Sequence, residues 1–456
     1  MNKMIKMTVI CWAILIGQLQ VQGSDENGVI SLRLADSIQM ALDHHPSMDE
    51  AGFVVKGAES KLAIAKAGRY PRLEVLNIST AVPEARGDAT FSPDEDTDID
   101  HLGPFNRIQI QMYQPLFTFG RIKSGMEAAQ FNIEVAKAGV AKSEADIIYQ
   151  VKQVYYGLLL AEKIFGILQD VIKEFEKAIE TAQERLDKGE GGVRDIDILK
   201  LKIGLTQIQK QQRRVEKELS LAKHALKMLT GLDKDARIEL RDKLEPQSVN
   251  VSGMQDDLKQ IFDLNPDWQK LNFGIQAKRA EVEVIRKGHY PVVFLAGQFK
   301  HAIAPNRDDQ KNPFVSDEFN YLGGGLFFGL KWDWDFSIKA KTEEAEYELK
   351  ELLAKKNLAF RGFPLQAQKA YLELLEKKDA LVIAKNGKKW ARSLMVLTLT
   401  NYNFGIGEPK ELFESLGMYI TSAGDYYMAV HDFNMALAKL SQVVGKEFAD
   451  LEQMSS

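Results

Sequence analysis

A mainly α chain with a small β part, built from two internal repeats, is the fold class this sequence predicts, and three observations carry the prediction. Residues 45–75 align without a gap to residues 265–295, so that Pro46 meets Pro266, Phe53 meets Phe273, Gly68 meets Gly288 and Tyr70-Pro71 meets Tyr290-Pro291. Long stretches carry apolar residues at alternating spacings of four and three, the pattern of coiled-coil helices. Between them lie short segments with a period of two, the pattern of strands with one apolar and one polar side.

At the N-terminus, Lys3 and Lys6 precede an apolar run over residues 7–16 that is too short to span a bilayer, and Val21-Gln22-Gly23 follows at cleavage spacing. Residues 1–23 therefore read as a secretory signal. Cys11, the only cysteine, lies inside it without the preceding small residue of a lipoprotein signal. The mature chain is thus expected to have no disulfide, no thiolate metal site and no cysteine nucleophile. A formal net charge of -5, with no basic groove interleaved with aromatics, argues against a nucleic-acid partner. No later apolar run reaches transmembrane-helix length, so any membrane crossing must use strands closed into a barrel.

The first repeat spans residues 24–230. A charged helical stretch runs to Gly68-x-Tyr70-Pro71, where proline forbids continuation and glycine suits a helix end. A β-hairpin follows over about residues 72–116, in which Ile108, Ile110 and Met112 alternate with polar residues. It leaves through Pro115-Leu116-Phe117-Thr118-Phe119-Gly120-Arg121. Residues 123–187 then read as one helix of about 100 Å at 1.5 Å per residue, with heptads from Val151 through Leu158, Leu168, Phe175 and Leu186. A stutter falls at Ile147 to Val151. The run breaks at Lys188-Gly189-Glu190-Gly191-Gly192, and a second heptad helix carries Ile198, Leu201, Leu205, Ile208 and Leu226.

Residues 231–250, with Pro246 and no clear heptads, lie between the repeats. The second repeat spans residues 251–446, with a hairpin over about 292–334 made of strands 292–302 and 320–334. Its exit reads Trp332-Asp333-Trp334-Asp335-Phe336-Ser337, and Pro364 is expected to kink or interrupt the long helix that follows. The turn Phe404-Gly405-Ile406-Gly407-Glu408-Pro409 leads into a last helix with an unbroken seam from Leu412 through Leu416, Tyr419, Ala423, Tyr426, Val430, Phe433 and Leu437 to Leu440. Residues 447–456 are a tail.

The hairpin loops are polar. Residues 83–104 hold Asp88, Asp94, Glu95, Asp96, Asp98 and Asp100, and residues 303–319 hold Asp308, Asp309, Asp317 and Glu318. Neither has the ligand–glycine–glutamate spacing of a calcium loop, so they read as solvated loops. Tyr113, Phe117, Phe119, Phe327, Phe328, Trp332 and Trp334 gather toward strand ends, as interfacial aromatics do in membrane barrels. Four strands cannot close a conducting barrel, so a membrane role requires several copies to pool their strands.

The repeated helix–hairpin–helix–helix order, the two Gly-x-Tyr-Pro junctions, the Pro-Leu-Phe-x-x-Gly-Arg exit at residues 115–121 and the glycine-containing tips together resemble the TolC-like outer-membrane efflux proteins, over Leu32 to about Gly445. The resemblance implies long helices forming a periplasmic α-barrel, plus four strands per chain in a trimeric outer-membrane β-barrel, and it makes residues 231–250 the inter-repeat linker in an equatorial belt. It further implies a homotrimer in outer-membrane lipid, docked through a periplasmic adaptor protein on an inner-membrane pump, exporting small molecules or proteins. The second exit departs from the family pattern, since residues 332–337 lack the Pro-Leu-Phe-x-x-Gly motif.

The resemblance also places working residues. An acidic pair at the closed entrance maps to Glu411 and Glu414, three apart on one helical face. Asp195 and Asp197 hold the matching place in the first repeat. The alternative is that these carboxylates merely suit helix N-termini. Adaptor-docking tips map to Arg185, Leu186, Gly189, Tyr402 and Gly405, with plain turns as the alternative. His44-His45 lack a third ligand, and no Gly-x-Ser-x-Gly, phosphate loop or HExxH motif occurs, so neither enzyme chemistry, a cofactor nor a metal is expected. A soluble periplasmic coiled-coil adaptor or scaffold shares the signal and heptads, but has no use for two amphipathic hairpins.

Overall fold

A computed structural model describes residues 29–87, 96–189, 193–249 and 261–448. The secretory signal, the loop carboxylates Asp88, Asp94 and Glu95, the tip residues Glu190, Gly191 and Gly192 and tail residues 449–456 lie outside the described residues.

The chain runs β1 (Val29–Leu32), α1 (Leu34–His44), α2 (Pro46–Ala67), β2 (Arg72–Arg86), β3 (Asp96–Phe117), α3 (Arg121–Lys188), α4 (Asp195–Thr230), β4 (Arg237–Leu240), α5 (Ile261–Leu264), α6 (Pro266–Arg286), β5 (Val292–Ile303), β6 (Tyr321–Lys331), α7 (Ile338–Asn403) and α8 (Pro409–Val444). From α2 through α4, and again from α6 through α8, the order is helix, hairpin, long helix, shorter helix. Matching caps open the two units. His45 accepts from the Ser47 N–H at 3.2 Å, and Asn265 accepts from the Trp268 N–H at 2.9 Å, each just before a proline at the first helical position.

The junction glycines work differently from the expectation. Gly68 has φ -59°, so it needs no left-handed backbone. A Cβ at Gly68 would be tight only against the Ala65 carbonyl of its own helix, at 3.3 Å. The exit helices stand at ordinary van der Waals distance, Ile122 of α3 at 3.9 Å from that position and Ile338 of α7 at 3.5 Å from the corresponding position of Gly288.

The four long strands form one antiparallel sheet in the order β2-β3-β5-β6. Bulges fall at Pro83 and Pro115, where a missing N–H costs no ladder bond. β6 ends at Lys331, short of the expected Trp334. The reason is Asp335, whose carboxylate accepts from the Ser337 N–H at 2.8 Å and hydroxyl at 2.6 Å and turns the chain into α7. At the first exit the turn uses backbone strain: Phe119 and Gly120 have φ of 51° and 83°. Phe119 is held there by Tyr290, stacked at 5.3 Å, and Phe117, edge-on at 4.7 Å. The departing motif of the second copy is thus an aspartate turn replacing a glycine turn.

Below the sheet the helices lie side by side. α3 packs on α2 and α6 toward the sheet, and on α4 and α8 farther away, while α7 packs on α6 and then α8. The heptad seams are the interfaces: Leu412, Leu416, Ala423, Val430, Phe433, Leu437 and Leu440 of α8 are buried, as are Leu158, Leu168, Phe175 and Ala182 of α3. Gly204 of α4 lets the Phe413 ring of α8 lie against its backbone. α7 continues through Pro364 without interruption. Midway along, β1 and β4 pair in parallel. Asp242 beside them accepts from the Tyr155 hydroxyl at 2.7 Å and the Leu34 N–H at 2.8 Å. Burial, reinforced by Asp242, pushes the Tyr155 pKa well above its ordinary value.

Candidate functional site

The sheet has two unlike faces. Strand register puts Leu73, Val75, Ile110, Met112, Leu295, Phe299, Leu326, Phe328 and Leu330 on one of them. Arg72, Glu74, Gln109, Gln111, Arg107, Gln298 and Lys300 lie on the other. The apolar face is exposed, with Leu73 at 65%, Leu326 at 73% and Phe328 at 75%. Among the described residues the outer edges of β2 and β6 carry no strand partner, except that Ala85 near the end of β2 bridges to Arg307. The β6 glycines are covered on the polar face by aromatics: the Tyr321 ring lies over Gly323, and the Phe327 ring is 3.2 Å from where a Gly325 Cβ would stand.

At the far end of the helices the structure brings the two tip turns together. Arg185 Nη2 donates to the carbonyls of Tyr402 at 2.7 Å and Asn403 at 3.2 Å, capping the end of α7. Its guanidinium also stands 5.0 Å from the Tyr402 ring centre. Tyr402 is buried, and its hydroxyl donates to the Ala178 carbonyl at 3.0 Å. Burial raises the Tyr402 pKa, with Arg185 opposing. Leu186 packs partly buried in the same cluster. Gly189 and Gly405, with φ of 67° and 79°, make the two reversals. Tyr402 and Arg185 therefore hold the turns to each other, while the glycines remain at the surface. Beside them Phe404 and Ile406 are each 79% exposed. The sequence reading passed over these two; an apolar pair flanking a tip glycine was the available signal.

The carboxylates sit one turn back. Glu411 and Glu414 are both exposed in the first turns of α8, and Glu414 has only a long contact of 3.9 Å to Lys410. Asp197 differs: Arg194 holds it at 3.0 Å and Lys200 at 3.6 Å. The Arg194 hydrogen bond keeps its pKa below the ordinary aspartate value. Asp195 is exposed beside it. A cleft of about 180 Å³ between α4 and α8 is lined by Asp197, Leu201, Ile203, Pro409, Lys410 and Phe413. Among the described residues no group of three His, Cys, Asp or Glu is placed to hold a metal ion. No described helix is long and apolar enough to cross a membrane.

Residues 37–232 match the family model described as outer membrane efflux protein. Among curated proteins, the chain is 21% identical over 274 residues to the probable outer membrane lipoprotein SilC of Salmonella typhimurium, and 22% identical over 275 residues to protein CyaE of Bordetella pertussis. Each match takes in 59% of this chain and 55% of the relative, so the chain spans about half the length of the curated relatives it matches. Among solved structures, the outer membrane protein VceC of Vibrio cholerae superposes with a TM-score of 0.71 at 17% identity, over 91% of this chain and 96% of that one. That likeness shows the fold.

Proposed function

We propose that this chain, TolC-like in its sequence match and in its fold, is the outer-membrane duct of a tripartite efflux or type I secretion system, carrying solutes or proteins passively from the periplasm outward. One observation carries the reading: a four-stranded sheet with one apolar exposed face, one polar face and two open edges, mounted on helices of about 100 Å. An apolar exterior and polar interior are what a membrane barrel needs, and open edges cannot face lipid. Three copies, each giving four strands and passing four helices through each level, close both a β-barrel in the outer membrane and an α-barrel in the periplasm. The duct performs no catalysis.

In this reading the tips are the adaptor surface. Gly189 and Gly405 permit a partner helix to approach, Phe404 and Ile406 offer it apolar contact, and Arg185, Leu186 and Tyr402 set the shape of the surface from beneath. Glu411 and Glu414 form the entrance ring, because their carboxylates are exposed and weakly paired. Asp195 is the lesser contributor, and Asp197 is largely neutralised by Arg194 and Lys200. A ring of carboxylates favours cations at the entrance. An inner-membrane pump supplies the cargo and its selection.

Light scattering on the detergent-purified protein, with membrane fractionation, tests the duct. A trimer confined to outer-membrane fractions is expected. A monomer or dimer soluble without detergent would leave the periplasmic scaffold as the better account. Given a trimer, replacing Glu411 and Glu414 together by alanine is expected to lower the cation preference of the channel in planar bilayers. An unchanged preference removes the pair from the entrance.

A further inference from the structure

We propose that the loop of residues 304–320 folds into the outer mouth of the barrel and constricts the exit, a second gate at the end opposite the tips. The proposal rests on the duct reading, since it takes the polar face of the sheet as the lumen.

The face is fixed by register. Phe105 is two residues from Arg107 and four from Gln109 along β3, so it lies on the polar face. Val82 and Ala302 pair into the same face. These residues and the wholly buried Ala304 make a small apolar cluster, and Phe319 from the loop completes it, edge-on to Phe105 at 5.6 Å. A loop that pointed out into solvent would not bury its aromatic on the lumen wall.

From there the loop crosses β3 to reach β2. Asn306 lies on Gly103 so closely that any Cβ there would overlap its side chain. Asn306 Nδ2 donates to the Val82 carbonyl at 3.1 Å, and its own carbonyl accepts from the Ala85 N–H at 3.3 Å. Arg307 Nη1 donates to the Pro83 carbonyl at 3.0 Å, and its guanidinium stands 3.9 Å from the Phe319 ring centre. Asp308 accepts from the Gly87 N–H at 3.0 Å and from Arg86 at 3.2 Å. Three consecutive residues are thus strapped to residues 82–87 at the outer end of β2. Asn320 fastens the returning end, accepting from the Ala304 N–H at 2.7 Å and donating to the Arg307 carbonyl at 2.9 Å.

Beneath the loop is a cavity of about 300 Å³. Arg107 and Lys300 line it from the wall, and Asp317 and Glu318 line it from the loop. Charges of opposite sign thus face the same cavity, from the wall and from the loop. Each copy contributes one such loop, so the mouth is narrowed symmetrically.

The test uses the one cysteine of the sequence, Cys11, lying in the segment read as the secretory signal, so a single introduced thiol can report alone. Gln111→Cys places it on the lumen face, six residues and about 20 Å along β3 from Phe105. Intact cells are treated with a bulky, membrane-impermeant maleimide after outer-membrane trimers have been confirmed, and detergent-solubilised trimer gives the maximal rate. Two partners free the loop in different ways: Gly103→Leu removes the seat of Asn306, and replacing residues 309–316 by two glycines shortens the loop. Either is expected to raise the labelling rate on cells at least about tenfold, because passage through a constriction depends steeply on its width. Equal rates in all three trimeric proteins overturn the gate and leave the duct standing. Absence of outer-membrane trimers in the parent protein is instead the failure of the duct reading.

Discussion

The Tyr402 hydroxyl is sealed from solvent, at 1% exposure, and gives its one hydrogen to the Ala178 carbonyl. A buried donor left without an acceptor is costly, whereas removing the donor altogether costs only the bond. Tyr402→Phe is therefore expected to cost about 1 kcal/mol, and Tyr402→Ala about 3 to 5 kcal/mol through the cavity left against Leu412 and Leu416. Thermal melts of the detergent-solubilised oligomer measure both, and an alanine variant as stable as the phenylalanine one would contradict this packing. The motif Tyr402-x-x-Gly405 located the tip from sequence, because only glycine makes that left-handed reversal. The inward direction of the tyrosine was not legible. It depends on Ala178, which lies 224 residues earlier and is brought alongside only when the two hairpins pack. The same applies to Asp197. Its spacing from Asp195 does not show that the neighbouring Arg194 folds back on it.

Among elements, the heptad helices were the most legible, since a 3.5-residue period over nine positions of α8 has no other outcome than a buried seam. Element ends were less so. β6 stops early because of an aspartate turn, and α7 runs on past Pro364, where proline removes only the one hydrogen bond to the Phe360 carbonyl. Asn265 shows what an element start is worth. It caps α6 with its oxygen, and its buried amide donates to the Val443 carbonyl at 2.7 Å, tying α6 to the end of α8. Asn265→Ala loses a cap and a buried bond together and is expected to cost about 2 kcal/mol. His45→Ala, at the corresponding cap of α2, loses a longer bond, 3.2 Å, and should cost about half as much. Chemical denaturation of the two variants side by side checks the order; a reversed order would mean that the caps do not carry the difference.

At the scale of the molecule, one chain leaves unfinished surfaces that a second and third copy would finish. Ile196, Leu199 and Ile203 of α4 and Val382, Ile383, Trp390 and Leu397 of α7 are exposed on the two helices that flank the lower bundle. In the duct reading these apolar flanks would be the lateral contacts of a closed ring. The sheet makes the sharper prediction, because its two faces meet different solvents. Leu326, at the middle of β6, faces lipid in this reading, and Gln298 of β5 faces the lumen. An arginine at a lipid-facing position near the bilayer midplane costs about 2 to 4 kcal/mol, whereas a lumen arginine stays hydrated. Leu326→Arg is thus expected to deplete the outer-membrane trimer, and Gln298→Arg to assemble normally. Membrane fractionation with unheated gels reads both. Equal assembly would mean that the apolar face does not meet lipid, and depletion only by Gln298→Arg would mean that the sheet is the other way out.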